Sequence, residues 1–173
     1  MNKKIVWTAV IIIGVLAIVS AVAFMRNSGS NSGTRLLSTD FNLKDYDGNQ
    51  VDLASFIGKP LVINSWAAWC PFCIEELKDF AEVQRELGDS VIIIAIDRAE
   101  SKSIAKRFSD ELGVTDDLIF LLDSRDAFYK SIGGFTMPET VFVNTKGEIV
   151  IHKRGFMNAA EIKDKIQSIL TSS

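Results

Sequence analysis

Histidine, cysteine and proline are scarce in this chain: one, two and three copies among 173 residues. Zinc takes four ligands in a structural site. Cys70, Cys73 and His152 are the only soft candidates, so no metal is expected. One-signed charge is also lacking. Nineteen Lys and Arg against 22 Asp and Glu leave a net charge of -3. No basic patch points to nucleic acid, and no internal repeat is present.

The exception to an ordinary globular composition is the N-terminus. Met1 to Lys4 is short and basic, and Ile5 to Met25 is uncharged and mostly apolar. At about 1.5 Å per residue, 5–25 is long enough to cross a hydrocarbon core of about 30 Å. A cleaved signal peptide has a shorter apolar region, about 7–15 residues. A retained anchor is therefore the expectation, with cleavage after Ala21-Val22-Ala23 as the alternative. No cysteine lies near position 21, which excludes lipid attachment there. Lys3 and Lys4 favour a cytoplasmic start at 1–4. The cysteine pair favours an extracytoplasmic remainder, because disulfide chemistry is commonest outside the cytosol. Residues 26–37 are rich in Gly, Ser and Asn and read as a flexible linker, reaching only about 15 Å. Residues 38–173 are one domain in size.

Periodicity gives the domain its elements. Phe41, Leu43, Val51 and Leu53 alternate around Asp47-Gly48, as in a β-hairpin. Ser55 is expected to cap a helical turn. Leu61 to Trp66 reads as a strand, and Val91 to Ile96 as a strand covered on both faces. Ser101 caps a helix with Ile104, Ala105, Phe108 and Leu112 inward. Leu118 to Leu122 is a strand, Asp126 to Ser131 a short helix, and 140–143 and 148–153 an antiparallel hairpin. Asn158 caps a helix from Ala159 to about Leu170. The order predicts an α/β domain: a mixed central sheet with helices on both faces.

Chemistry concentrates at Trp69-Cys70-Pro71-Phe72-Cys73. A Cys-x-x-Cys pair between a buried strand and a helix start reads as a redox dithiol. A purely structural disulfide would staple little, because the loop is so small. The helix that follows has Cys73, Ile74, Leu77, Phe80, Ala81, Val83, Gln84 and Leu87 on one arc. Glu76 breaks that arc, one turn after Cys73. A carboxyl there is either half-buried with a raised pKa or escapes at the edge.

Taken together, Gly58 to Cys73, the preceding hairpin, Met137-Pro138-Glu139-Thr140 and the strand–turn–strand ending near Gly155 resemble the TlpA/ResA/CcmG (DsbE) family. These are membrane-anchored, thioredoxin-like thiol–disulfide oxidoreductases, and the resemblance spans roughly 38–170. It implies a thioredoxin fold with an added N-terminal β-hairpin, preceded by one transmembrane helix. It implies that Cys70 is the nucleophile, at a helix N-terminus that stabilises thiolate, and that Cys73 resolves the mixed disulfide through a Cys70–Cys73 redox disulfide. Glu76 matches the family's acidic residue and would exchange the Cys73 proton. Pro138 matches a cis-proline facing Cys70. Met137 would pair with a substrate strand, Trp69 would pack beside Cys70 and shape the surface, and Pro71 and Phe72 would tune the potential. Trp66 reads as core and His152 as a surface strand residue.

Two departures stand out. Thioredoxin's buried Asp is Asn64 here, which leaves proton transfer to Glu76 or water. A frequent proline after the second cysteine is Lys78. The Thr-x-x-Cys arrangement of peroxiredoxins is missing. The implied function is reduction of protein disulfides of the cytochrome c maturation type, apocytochrome c included. A membrane donor of the DsbD/CcdA type would re-reduce the pair, and no cofactor is expected. The alternatives are a disulfide-forming oxidase of the same fold and a non-catalytic docking module.

Overall fold

A computed structural model describes residues 35–171. The expected cytoplasmic start at 1–4, the apolar span at 5–25 and the linker up to residue 34 lie outside them. Among the described residues no helix is long and apolar enough to cross a membrane.

Eight strands form one mixed sheet: β1 (Arg35–Leu36), β2 (Leu43–Lys44), β3 (Gln50–Val51), β4 (Leu61–Trp66), β5 (Ile92–Arg98), β6 (Ile119–Asp123), β7 (Glu139–Val143) and β8 (Glu148–Arg154). Their spatial order is β1-β8-β7-β4-β5-β6-β2-β3. β4 and β5 run parallel, as do β5 and β6, while β7 lies antiparallel to β4 and β8. The helices are α1 (Pro71–Leu87), α2 (Lys102–Leu112), α3 (Ala127–Ser131) and α4 (Ala159–Thr171).

Strand alternation divides the core in two. Val62 and Trp66 of β4 join α1 residues Cys73, Leu77 and Phe80 and α4 residues Ile162, Ile166 and Ile169. Leu61 and Ile63 face the other way, toward Phe128 of α3, Ile132 and Leu53. β4 is therefore buried along its whole length. Apolar burial at ~25 cal/mol per Å² makes this double layer the main stabilising feature. Gln84 ties the end of α1 to β5: its Nε2 donates to Gly88 O at 2.8 Å and its Oε1 accepts from Ile93 N at 2.9 Å.

Four local readings are corrected. Arg35 and Leu36, assigned to the linker, pair with Ile149 and Glu148 of β8. Leu37 is buried and donates its N–H to Gly147 O at 2.8 Å. A two-residue strand leaves no periodicity to read. Asp52, not Ser55, caps the 3-10 turn Leu53–Phe56, accepting from Ala54 N at 2.8 Å. Ser101 stands at the N-cap of α2, but its hydroxyl meets Ser103 instead of a backbone N–H. Ile104 is exposed rather than inward. Ser109 takes a buried place on α2, sharing hydrogen bonds with Tyr46 Oη (3.2 Å) and Thr115 Oγ1 (2.8 Å). The edge hairpin β2–β3 forms as expected, with Leu43 opposite Val51.

Candidate active site

β4 delivers the chain to the site at its carboxyl end, where open α/β sheets place their reactive groups. Beyond Trp66 the backbone turns: Cys70 N donates to Ala67 O and Cys73 N to Cys70 O, both at 3.0 Å. Cys70 is the extended N-cap residue of α1, and Pro71 is the first helical residue. Proline suits that position because its missing N–H would have no partner there. Cys70 and Cys73 are joined in a disulfide, with Cα atoms 5.3 Å apart. Both are buried. Pro71 is exposed, and Trp69 and Phe72 are 62% and 65% exposed. The sulfurs thus lie just beneath an apolar surface. Trp69 presents much of its ring to solvent at the mouth of the site.

Glu76, three residues after Cys73 on α1, has no solvent exposure. Its Oε2 accepts from Asn64 Nδ2 at 2.8 Å and its Oε1 from the Met157 backbone N–H at 2.9 Å. Asn64 Nδ2 also donates to Thr140 Oγ1 at 3.0 Å. Burial drives the Glu76 carboxyl up to about 8; the Met157 and Asn64 donors and the charge of Lys153 oppose it without cancelling it. That value sits beside the ordinary thiol pKa of about 8.5, so a proton can pass between carboxyl and thiol with little driving force either way.

A second acidic group lies behind the cysteine loop, and sequence reading gave it no role. Asp97 of β5 pairs in register with Trp66. It is buried, and burial followed by the neighbouring Glu100 carboxylate raises it to about 8. Asp97 Oδ1 accepts from Glu100 N at 3.1 Å, and Glu100 Oε2 accepts from Ala68 N at 2.6 Å. This pair holds the loop two residues before Cys70. The legible signal was an aspartate closing an apolar strand run. Among the described residues, no group of three or more His, Cys, Asp or Glu side chains is gathered to hold a metal ion.

The Met137–Pro138 peptide is cis. Glu139 is opposite Ser65 of β4, which puts Pro138 at the same carboxyl end of the sheet. Pro138 is buried, and its carbonyl accepts from Gly155 N at 2.9 Å. Met137 is half-buried against the cluster that contains Cys70 and Cys73. Glu139 has no solvent exposure, and His152 Nε2 lies 2.6 Å from its Oε2. His152 is therefore a part-buried partner of Glu139, not a surface strand residue. Two exposed aromatics also escaped the sequence reading: Phe135, 86% exposed in the segment before Pro138, and Phe156 between β8 and α4. An aromatic beside glycine in a loop was their only mark.

A model described as Redoxin matches residues 32–167. The thiol:disulfide interchange protein DsbE of Vibrio cholerae is 30% identical over 168 residues, covering 92% of this chain and 89% of its own. The thiol-disulfide oxidoreductase ResA of Geobacillus thermodenitrificans is 25% identical, covering 97% of each. StoA of Bacillus subtilis has a crystal structure that superposes with a TM-score of 0.62 at 26% identity, over 72% of this chain and 94% of that one. With the disulfide at the strand-to-helix corner, these matches identify the chain as a member of the Redoxin family, in its TlpA/ResA/CcmG (DsbE) branch of thioredoxin-like thiol–disulfide oxidoreductases.

Proposed function

We propose that this oxidoreductase works outside the cytoplasm as a reductase of protein disulfides, of the cytochrome c maturation type. The observation that carries the reading is the Cys70–Cys73 pair at the start of α1, with a buried carboxyl raised to about 8 one turn further on. In the reduced protein the Cys70 thiolate attacks one sulfur of the substrate disulfide. A mixed disulfide forms, and the other substrate sulfur leaves as thiolate. Glu76 takes the Cys73 proton, and Cys73 then attacks the Cys70 sulfur. The second substrate thiol is released and two electrons have passed to the substrate. The exposed Trp69, Pro71 and Phe72, with Met137 and Pro138, receive the substrate segment.

A membrane donor of the DsbD/CcdA type returns the electrons, and apocytochrome c is the substrate expected. Residues 5–25 anchor the chain with 1–4 in the cytoplasm, and the segment up to residue 34 keeps the domain near the membrane. Support comes from the apolar run and from the interchange and oxidoreductase activities named for the relatives.

Cys73→Ala removes the resolving thiol and should trap mixed disulfides through Cys70 in cells. Absence of any trapped partner would sink the reading, as would full function of Cys70→Ser, which a docking module predicts. A reduction potential for the pair near the oxidising end of the thioredoxin-fold range, about -120 mV, would reverse the direction to disulfide formation.

A further inference from the structure

We propose that His152 is a positioning residue for substrate selection: through the buried Glu139 carboxylate it holds the segment 133–137, which presents Phe135 to an apolar side chain flanking the substrate disulfide. The proposal rests on the reductase reading above.

Glu139 is tied on both oxygens. Oε1 accepts the backbone N–H groups of Phe135 at 2.5 Å and Thr136 at 2.8 Å. Oε2 faces His152 Nε2 at 2.6 Å. One hydrogen bond therefore joins the ring to the carboxyl group. Arg154 Nε stands 3.6 Å from Oε1, but the Arg154 side chain is largely exposed. His152 is well shielded at 18% and is the close partner. The other charged or titratable groups around the carboxylate are Arg98, Asp126 and Tyr129.

The segment is clamped from its other side too. Tyr129 Oη donates to Thr136 O at 2.9 Å, and Arg154 Nη2 donates to Gly133 O at 3.3 Å. The Tyr129 ring passes 2.4 Å from where a Gly134 Cβ would stand, so only glycine fits there. A backbone fixed at this many points still carries the most exposed large apolar side chain among the described residues, Phe135. Fixed backbone with a solvent-facing aromatic is what a preorganised anchor needs: less entropy is lost when a partner covers it. The segment runs directly into Pro138 at the carboxyl end of β4, the end from which the chain continues to Cys70. The occupant this fits is an extended polypeptide with an apolar residue near its cysteine. Oxidised glutathione carries no apolar side chain beside its cysteines to meet Phe135.

The test is steady-state disulfide reduction by the full-length protein, re-reduced by dithiothreitol, with insulin and oxidised glutathione as substrates. Expected for His152→Ala is a KM for insulin raised about five- to tenfold, with kcat and glutathione reduction within about twofold. His152→Gln keeps an N–H donor and should restore most of the loss, whereas His152→Asn, too short to reach Glu139, should not. Phe135→Ala should raise the insulin KM alike. Should His152→Ala fail to fold, the Gln against Asn comparison carries the same reading. Unchanged insulin KM in the His152 variants, or equal loss with both substrates, overturns this proposal alone. A wild type that reduces neither substrate overturns the reductase reading and this proposal with it.

Discussion

Two glutamates without solvent exposure lie on opposite faces of the same sheet, Glu76 and Glu139. Thr140 bonds the Asn64 that serves Glu76, and the next residue on either side, Glu139 or Val141, points the other way. Glu76 receives two neutral donors, a side-chain amide and a backbone N–H. The positive charge that acts on it, Lys153, is engaged with Glu161 at 2.8 Å. Glu139 receives two backbone N–H groups, an imidazole and a nearby guanidinium. Burial without a contacting cation raises a carboxyl, as it does Glu76. The first arrangement suits a proton carrier beside a thiol. The second suits a fixed clamp on backbone.

The largest separation between them is expected in catalysis. Glu76→Gln should slow insulin reduction about 100-fold at neutral pH, with mixed disulfide building up in quench assays. Glu139→Gln should leave single-turnover reduction of oxidised glutathione within about threefold. Equal losses would mean that both carboxyls serve the chemistry, or neither. Stability should separate them in the opposite sense. Glu139→Ala strips hydrogen bonds from two backbone N–H groups and His152, and should cost about 2 kcal/mol in urea unfolding. A loss no larger than that of Glu76→Gln would show that Glu139 does not clamp the backbone.

Half of this contrast was legible in the sequence. Glu76 interrupts an apolar helical arc, and a carboxyl forced inward there had to be buried or at the edge. The strands, α1 and the dithiol were legible for the same reason, since each shows itself in local spacing. Glu76's partner Met157 lies 81 residues away in the chain, and no spacing rule connects them. His152 was misjudged although the β7–β8 hairpin was expected, because an irregularity between Phe142 and Val143 shifts the register. Its role appears only from the β7–β8 register, where His152 is opposite Val141 and Arg154 opposite Glu139. The Glu100 contact to Ala68 depends likewise on a parallel β4–β5 pairing. Cross-sheet neighbours are a property of topology, and topology is what one strand's pattern leaves out.

The pH dependence of folding sharpens the contrast further. Glu76 is raised from 4.5 to about 8 in the folded protein, so the folded state holds a proton that the unfolded chain releases near 4.5. Stability from this group is complete below about 4.5 and is lost as pH rises through about 8. Glu76→Gln cannot ionise and should not share the loss. Denaturant unfolding of the oxidised protein at pH 5 and pH 9 should therefore show the variant gaining on wild type by at least about 1 kcal/mol. Parallel curves would mean that Glu76 is already ionised at pH 5 in the folded state, and the proton-carrier role would fail.

The smallest effect concerns Asn64, which donates to Glu76 with the same amide that reaches Thr140. A donor to a carboxylate favours its charged form. Removing it with Asn64→Leu, of similar size, should push Glu76 higher still. If resolution needs ionised Glu76 to accept the Cys73 proton, the rate rises with pH around a midpoint near 8, and Asn64→Leu should move that midpoint up by about half a pH unit. The Met157 N–H remains as donor, which keeps the movement small. A midpoint that moves down would show that Asn64 holds the neutral carboxyl instead, with its oxygen rather than its nitrogen toward Glu76. The rate would still rise with pH, so Glu76 would remain the proton acceptor and only the orientation of the Asn64 amide would be reassigned.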